Sequence, residues 1–223
     1  MALRAAALCA LLLFLAAGCG GNKSSNGSGT GDKSGACAGL GDVAAPRATK
    51  APWGAPDNPM ALTCAAGLIP EKAEFLQYHV HAHLDVFVDG RPVLVPAGIG
   101  IDLNNPAVQA DTNANGLVIG AGLSQECSQP CISPLHTHDL SGLLHTETKT
   151  PSPNKLGQFF TQWAVRLTSD CIGAYCKPKT PIKIYVDGKV ETGDPSDIEL
   201  SNLREIAIVI GTPPANIPME FPK

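Results

Sequence analysis

The sequence predicts an α+β domain with a small mixed sheet, one main helix and disulfide-stapled loops. Three patterns lead to this prediction. Apolar and polar residues alternate at period two over residues 78–88, which is typical of a strand with one buried face. Apolar residues recur at helical spacing over residues 151–167. Residues 206–210 form an unbroken apolar run that fits a central strand.

The first strand carries different chemistry on its two faces. One face is apolar and holds Val80, Ala82, Leu84, Val86 and Val88. The opposite face holds His79, His81, His83 and Asp85. Asp89-Gly90 is typical of a type I′ hairpin turn, and Pro92 and Pro96 place the return strand at a sheet edge because proline lacks an N–H donor. Residues 102–134 are then predicted to form a long loop.

The second half of the domain contains a similar hairpin. Residues 143–149 predict a strand, and the helix that follows has Ser152 or Asn154 as its predicted N-cap. Residues 181–190 predict another strand with an Asp-Gly turn, ahead of the central strand at 203–211. Two similar hairpins that flank one helix predict a ββαββ order of β-grasp type.

Residues 1–18 predict a cleaved signal peptide, because an apolar run too short to span a bilayer follows one arginine. The segment LAAGC at residues 15–19 resembles the bacterial lipobox. That resemblance implies cleavage before Cys19 and acylation of this cysteine, which would anchor the protein in a lipid membrane outside the cytoplasm, on the periplasmic side or the cell surface. Residues 19–51 predict a flexible Gly/Ser/Pro tether, and residues 52–223 a single domain.

The chain has eight cysteines. Cys9 falls in the signal peptide and Cys19 is the predicted acylation site, so six remain for the exported domain. An even number of cysteines in an exported chain is typical of disulfides. Proximity favours the pairs Cys37–Cys64, Cys127–Cys131 and Cys171–Cys176, while the sequence leaves other pairings open.

The charge pattern excludes one class of partner. Charged residues make up 16% of the chain, the net charge is −4, and there is no run of Lys or Arg. These features exclude a nucleic-acid partner, because phosphates require a basic surface. The sequence identifies no protein partner, and no further apolar segment is long enough to cross a membrane.

All six histidines lie in two short blocks of the chain, at 79–83 and 136–145. Side chains at i and i+2 of a strand point the same way, about 6.5–7 Å apart, so two imidazoles can close on one metal ion. Three histidines at successive i, i+2 and i+4 positions cannot easily share one ion. Two histidines from the first block and one ligand from the second block are therefore expected. The candidate ligands are His79, His81, His83, His136, His138, His145 and Glu147. Asp139 is expected to orient a ligand histidine from outside the coordination sphere.

The ligand types favour zinc or Cu(II) as the cofactor, with zinc slightly preferred. The sequence disfavours a Cu(I) thioether site, because Met60 and Met219 lie outside both histidine blocks. Known metalloenzyme motifs match incompletely. The segment at 136–138 lacks the glutamate of a cupin motif, and the segment at 81–85 lacks the last histidine of metallo-β-lactamases.

Four segments resemble a family of secreted or membrane-anchored prokaryotic proteins. They are HVHAHLDVFVDG at 79–90, PAGIGI at 96–101, PLHTHDLSGLLHTE at 134–147 and LGQFFTQW at 156–163. The likeness covers about residues 77–220 and implies a common fold, but it does not imply an activity.

The sequence therefore predicts an extracytoplasmic lipoprotein that binds zinc or copper, for sequestration, delivery or sensing. The alternative is a metal-dependent hydrolase or oxidoreductase on the same site, with Glu147 or Asp139 as general base. A structural or partner-binding envelope domain without metal is the third hypothesis. The pattern favours binding and leaves catalysis open.

Overall fold

The computed structural model describes residues 35–223. The predicted signal peptide at 1–18 and the predicted acylation site Cys19 lie outside the described residues. Two α-helices occur in the described part, α1 (Pro59–Ala65) and α2 (Leu156–Gln162), with short 3-10 helices at Gly35–Cys37 and Pro195–Asp197. The strands of this part are β1 (Tyr78–Val88), β2 (Arg91–Val93), β3 (Val108–Thr112), β4 (Val118–Leu123), β5 (Leu135–His136), β6 (Leu143–Thr148), β7 (Cys171–Ile172), β8 (Tyr175–Cys176), β9 (Ile182–Val186), β10 (Lys189–Glu191) and β11 (Arg204–Ile210).

Seven of these strands form one mixed sheet, in the order β10-β9-β11-β1-β6-β5, with β2 paired to β1. β1 runs parallel to β11 and antiparallel to β6 and β2. The α+β class is confirmed, and so is the interior position of the apolar strand β11. The ββαββ order of β-grasp type is not confirmed, because β5 and β6 extend the sheet beyond β1.

The main core lies between the apolar face of this sheet and α2. Ala82, Leu84 and Val86 of β1 are each 1% exposed, as the alternation predicts. Trp53 is also buried and packs edge-on against Trp163, with ring centroids 5.7 Å apart. The apolar side of β1 is thereby fixed inside the protein, so its histidine side faces the other way.

Helix α2 is shorter than the sequence predicts and ends at Gln162. Its N-cap is Lys155 rather than Ser152 or Asn154. The side-chain amide of Asn154 instead donates to the Thr146 hydroxyl on β6, at 3.1 Å, in a buried position. A contact between the helix start and the sheet has therefore replaced the predicted local cap.

The predicted long loop at 102–134 contains a hairpin formed by β3 and β4. The Asn113 side chain shapes the turn, since its Oδ1 accepts from the backbone N–H groups of Asn115 and Leu117 at 3.0 and 3.1 Å. β3 is exposed at four of its five positions and therefore shows no apolar alternation that could reveal a strand. This hairpin matters for function because it borders the second histidine block.

The described part of the chain contains three disulfides, and they are the three pairs favoured by proximity: Cys37–Cys64, Cys127–Cys131 and Cys171–Cys176. They indicate that the domain matures in an oxidising environment outside the cytoplasm. Within residues 35–223, no helix has the length and apolar character needed to cross a bilayer.

Residues 37–50, which the sequence assigns to the tether, contact the folded part. The Arg47 backbone N–H donates to the Ala164 carbonyl at 2.7 Å, and its guanidinium donates to the Trp163 carbonyl at 2.6 Å. Together with the disulfide at Cys37, these bonds attach this segment to the domain.

Candidate metal centre

Three neighbouring strands bring both histidine blocks onto one face of the sheet. Across the β1–β6 pair, His79 lies opposite Glu147 and His81 opposite His145. Across the β5–β6 pair, His136 lies opposite His145 as well. Because cross-strand partners share a face, this register places the side chains together. We call this surface the histidine face: His79, His81, His136, His138, His145 and Glu147.

Four of these residues form an inner group, defined as His136, His138, His145 and Glu147. Each of the four residues offers one potential ligand atom, and these four atoms all lie within 4.8 Å of one another. His136 Nε2 and His138 Nε2 are 3.1 Å apart, and Glu147 Oε1 lies 3.3 Å from His145 Nδ1. The His136 side chain is fully buried, and Glu147 is 5% exposed. Three nitrogens and one carboxylate are a ligand set that suits zinc or Cu(II).

His79, His81 and His145 form an outer group, whose ligand atoms also lie within 4.8 Å of one another. His81 Nε2 lies 3.1 Å from His145 Nδ1, and the rings of His79 and His81 meet edge-on at 4.4 Å. The His79 side chain is 32% exposed, so this group is open to solvent. Two histidines from the first block and one from the second are thus brought together, as strand spacing predicts.

Backbone carbonyls fix how the inner histidines point. His136 Nδ1 donates to the Ser133 carbonyl at 2.9 Å, and His138 Nδ1 donates to the Ala121 carbonyl at 2.8 Å. A carbonyl oxygen can only accept, so each Nδ1 must carry the proton. In the neutral rings both Nε2 atoms then present bare lone pairs, and they face each other. Metal-binding histidines are held in the same manner, by a hydrogen bond at the other ring nitrogen.

The electrostatics of the inner group favour a cation. Burial lowers the pKa of His136 to about 3, so this ring stays neutral and keeps its lone pair at neutral pH. Burial pushes the pKa of Glu147 upward, but the hydrogen bond with His145 and the neighbouring imidazoles outweigh it and lower that pKa overall. An anionic carboxylate therefore lies beside the neutral His136 ring.

Glu74 is a further acidic residue at this site, and the sequence does not point to it. Its Oε1 lies 3.8 Å from His138 Nε2. Burial and the charge of Glu147 raise the pKa of Glu74. Glu74 lies outside the strands and outside both histidine blocks, so no local pattern could have identified it.

His83 does not join the histidine face. Its Nδ1 lies 2.8 Å from Glu205 Oε2 on the adjacent β11, and its Nε2 donates to the Ser141 carbonyl at 2.8 Å. Gly142 allows this close approach, since it has a φ of 88° and an added Cβ would lie 2.6 Å from the Leu84 carbonyl. Both ring nitrogens of His83 are engaged, so the structure separates it from the other predicted ligands and groups it with Asp85 and Glu205.

Asp139 does not orient a histidine in the way the sequence suggests. Its Oδ1 accepts from the Ser141 backbone N–H at 2.8 Å, which closes a local turn. Hydrogen bonds from the Ser141 hydroxyl and backbone N–H together lower the pKa of Asp139. The carbonyl of Ala121, on β4, holds His138 instead.

Comparison with family models, curated proteins and solved structures gives no significant match to this chain. Its function is therefore inferred from the geometry of the site.

Proposed function

We propose that this protein binds a transition-metal ion, zinc or Cu(II), through His136, His138, His145 and Glu147. The observation that carries this proposal is the pair of Nε2 atoms of His136 and His138, which face each other at 3.1 Å. Two imidazole nitrogens that bind one tetrahedral zinc ion at about 2.0–2.1 Å lie about 3.3–3.4 Å apart. The observed separation is therefore close to that of two ligands of one ion.

The same observation favours a metal over a purely structural histidine cluster. Two neutral imidazoles normally form a hydrogen bond by presenting an N–H to a lone pair. Here both Nδ1–H groups already point at backbone carbonyls, so two neutral rings bring their Nε2 lone pairs face to face, and a metal ion between them would relieve that repulsion. A buried carboxylate beside them supplies the negative charge that such a cation requires.

A binding role fits this set better than a catalytic one. Four protein ligands close a tetrahedral site, whereas catalytic zinc keeps a position open for water. Most of the ligands come from paired strands, which hold them in fixed positions. We therefore propose that the protein sequesters, delivers or senses the metal.

A metal-dependent hydrolase is the second candidate, and Glu74 is the observation that favours it. A carboxylate with a raised pKa near a metal ligand is suited to general-base catalysis. This candidate requires a water molecule in place of one protein ligand, which X-ray absorption spectroscopy of the zinc-loaded protein would detect.

We place this activity in the cell envelope. The lipobox-like segment at 15–19 supports cleavage before Cys19 and attachment of lipid there, and the disulfides are consistent with export. The four motifs at 79–163 support membership of the prokaryotic family that they resemble. On this proposal a lipid-anchored domain meets the extracytoplasmic metal pool.

The test is metal binding by the purified, disulfide-bonded protein, measured by calorimetry with Zn²⁺ and Cu²⁺. The protein is expected to bind at least one equivalent, and replacing both His136 and His138 by Asn is expected to weaken the tightest binding by at least about 100-fold. The matched control is Asp139→Asn, which changes an exposed carboxylate beside His138 and is expected to leave binding unchanged. Binding of less than one equivalent by the unaltered protein would refute the proposal.

A further inference from the structure

The histidine face offers more ligands than one ion can use. Five imidazoles and one carboxylate lie together there, whereas a tetrahedral ion takes four ligands. The inner group accounts for four of them, so His79 and His81 are left over. Both residues lie on the same face of β1, and neither would be a ligand in a site that holds a single ion.

The extra ligands form a second group rather than an enlargement of the first. His79 and His81 come together with His145, and the inner group comes together without them. His145 belongs to both groups and therefore links them. Its Nδ1 lies 3.1 Å from His81 Nε2 and 3.3 Å from Glu147 Oε1.

Glu147 lies between the two groups. Its Oε1 is 3.2 Å from His79 Nε2 in the outer group and 3.9 Å from His136 Nε2 in the inner group. Its Oε2 is buried and has no hydrogen-bond partner within residues 35–223. A buried carboxylate oxygen without a partner is costly, because its lost hydration is not replaced. A carboxylate whose two oxygens bind two cations would satisfy both atoms.

We propose that the histidine face holds two transition-metal ions side by side. The inner ion is bound by His136 and His138, the outer ion by His79 and His81, and the Glu147 carboxylate lies between them with His145. This inference rests on the proposed function and adds a second ion to it.

The two ions bind with unequal strength. Two of the inner ligands, His136 and Glu147, are buried, and the Nε2 atoms of His136 and His138 lie within hydrogen-bonding distance only of each other among the described residues. The pair formed by His81 and His145 differs, because one ring can donate its N–H to the other and satisfy both without a metal. The outer group is also more exposed to solvent. The outer ion is therefore the weaker and more readily exchanged of the two.

The experiment is equilibrium dialysis of the purified protein against graded Zn²⁺, followed by elemental analysis. The unaltered protein is expected to bind two equivalents in two affinity classes. Replacing both His79 and His81 by Asn is expected to remove the weaker class and leave one tight equivalent. The control is Asp85→Asn, a polar residue on the same strand face outside both groups, which is expected to retain two equivalents.

The outcomes separate the two proposals. One equivalent in the unaltered protein would overturn the second ion and leave the proposed function standing, whereas no bound metal would overturn both. Two equivalents in the His79/His81 variant, or a loss in Asp85→Asn, would overturn the outer site by placing the second ion elsewhere. Because stoichiometry is measured in the unaltered protein first, the number of bound ions is established even if a variant fails to fold.

Discussion

At the scale of single residues, the histidines of one strand perform different tasks. His79 and His81 face the candidate metal centre, whereas His83 is 7% exposed and is paired with Glu205, which is 1% exposed. Burial opposes charge on His83, but the hydrogen bond with Glu205 outweighs it and raises the pKa of His83. Burial also raises the pKa of Glu205. This pair therefore retains a proton and stabilises the contact between β1 and β11.

The first prediction concerns this pair. Glu205→Ala is expected to reduce the free energy of unfolding by about 1.5–3 kcal/mol, because His83 loses a charge-assisted hydrogen bond while the Asp85 carboxylate remains 3.6 Å from its Nδ1. Urea denaturation of the metal-free protein measures the effect, with Glu199→Ala, an exposed carboxylate nearby, as the control. Metal stoichiometry is expected to stay the same. A loss of bound metal in Glu205→Ala would contradict the separation of His83 from the site.

At the scale of elements, β1 links the core to the histidine face. Its apolar side packs in the main core, while its other side and β6 carry ligands in a fixed register. A one-residue slip between these strands would turn the histidines into the core, so the burial of Leu84 and Val86 also fixes the ligand positions. The positions of the ligand side chains therefore depend on the stability of the whole sheet.

The disulfides provide a prediction at this scale. The Cys37–Cys64 bridge closes a longer loop than Cys171–Cys176, with sequence separations of 27 and 5. On the chain-entropy account, replacing both cysteines by Ser is expected to cost about 3–4 kcal/mol for the first pair and about 2 kcal/mol for the second. Urea denaturation of the two variants tests this order. Equal losses, or a larger loss for Cys171–Cys176, would contradict it.

The histidine site was predictable in outline from sequence, because the i, i+2 spacing in β1 and β6 depends only on local strand geometry. Glu74, the Ala121 carbonyl at His138 and the pairing of His83 were not predictable, because they arise from contacts between distant segments. The same reason explains the N-cap of α2, where Asn154 binds Thr146 on another element. Strand β3 was missed because its side chains are exposed and leave no apolar pattern.

At the scale of the whole molecule, metal binding and folding are coupled, because the ligands assemble only in the folded sheet. Zn²⁺ at about 100 times its dissociation constant is expected to add about 2.7 kcal/mol of stability, which raises the melting temperature by about 5–10 °C. Thermal denaturation with and without a chelator measures this shift. Mg²⁺ serves as the control, since it prefers oxygen ligands and is expected to have no effect. An unchanged melting temperature with Zn²⁺ would count against a site formed by folding.

The most direct test of the metal centre is an anomalous difference map from crystals of the zinc- or copper-loaded protein, recorded at the absorption edge of the metal. We expect the strongest peak between His136 Nε2 and His138 Nε2, within bonding distance of Glu147. A map with no peak on the histidine face, or with its strongest peak at His83 and Glu205, would contradict the account.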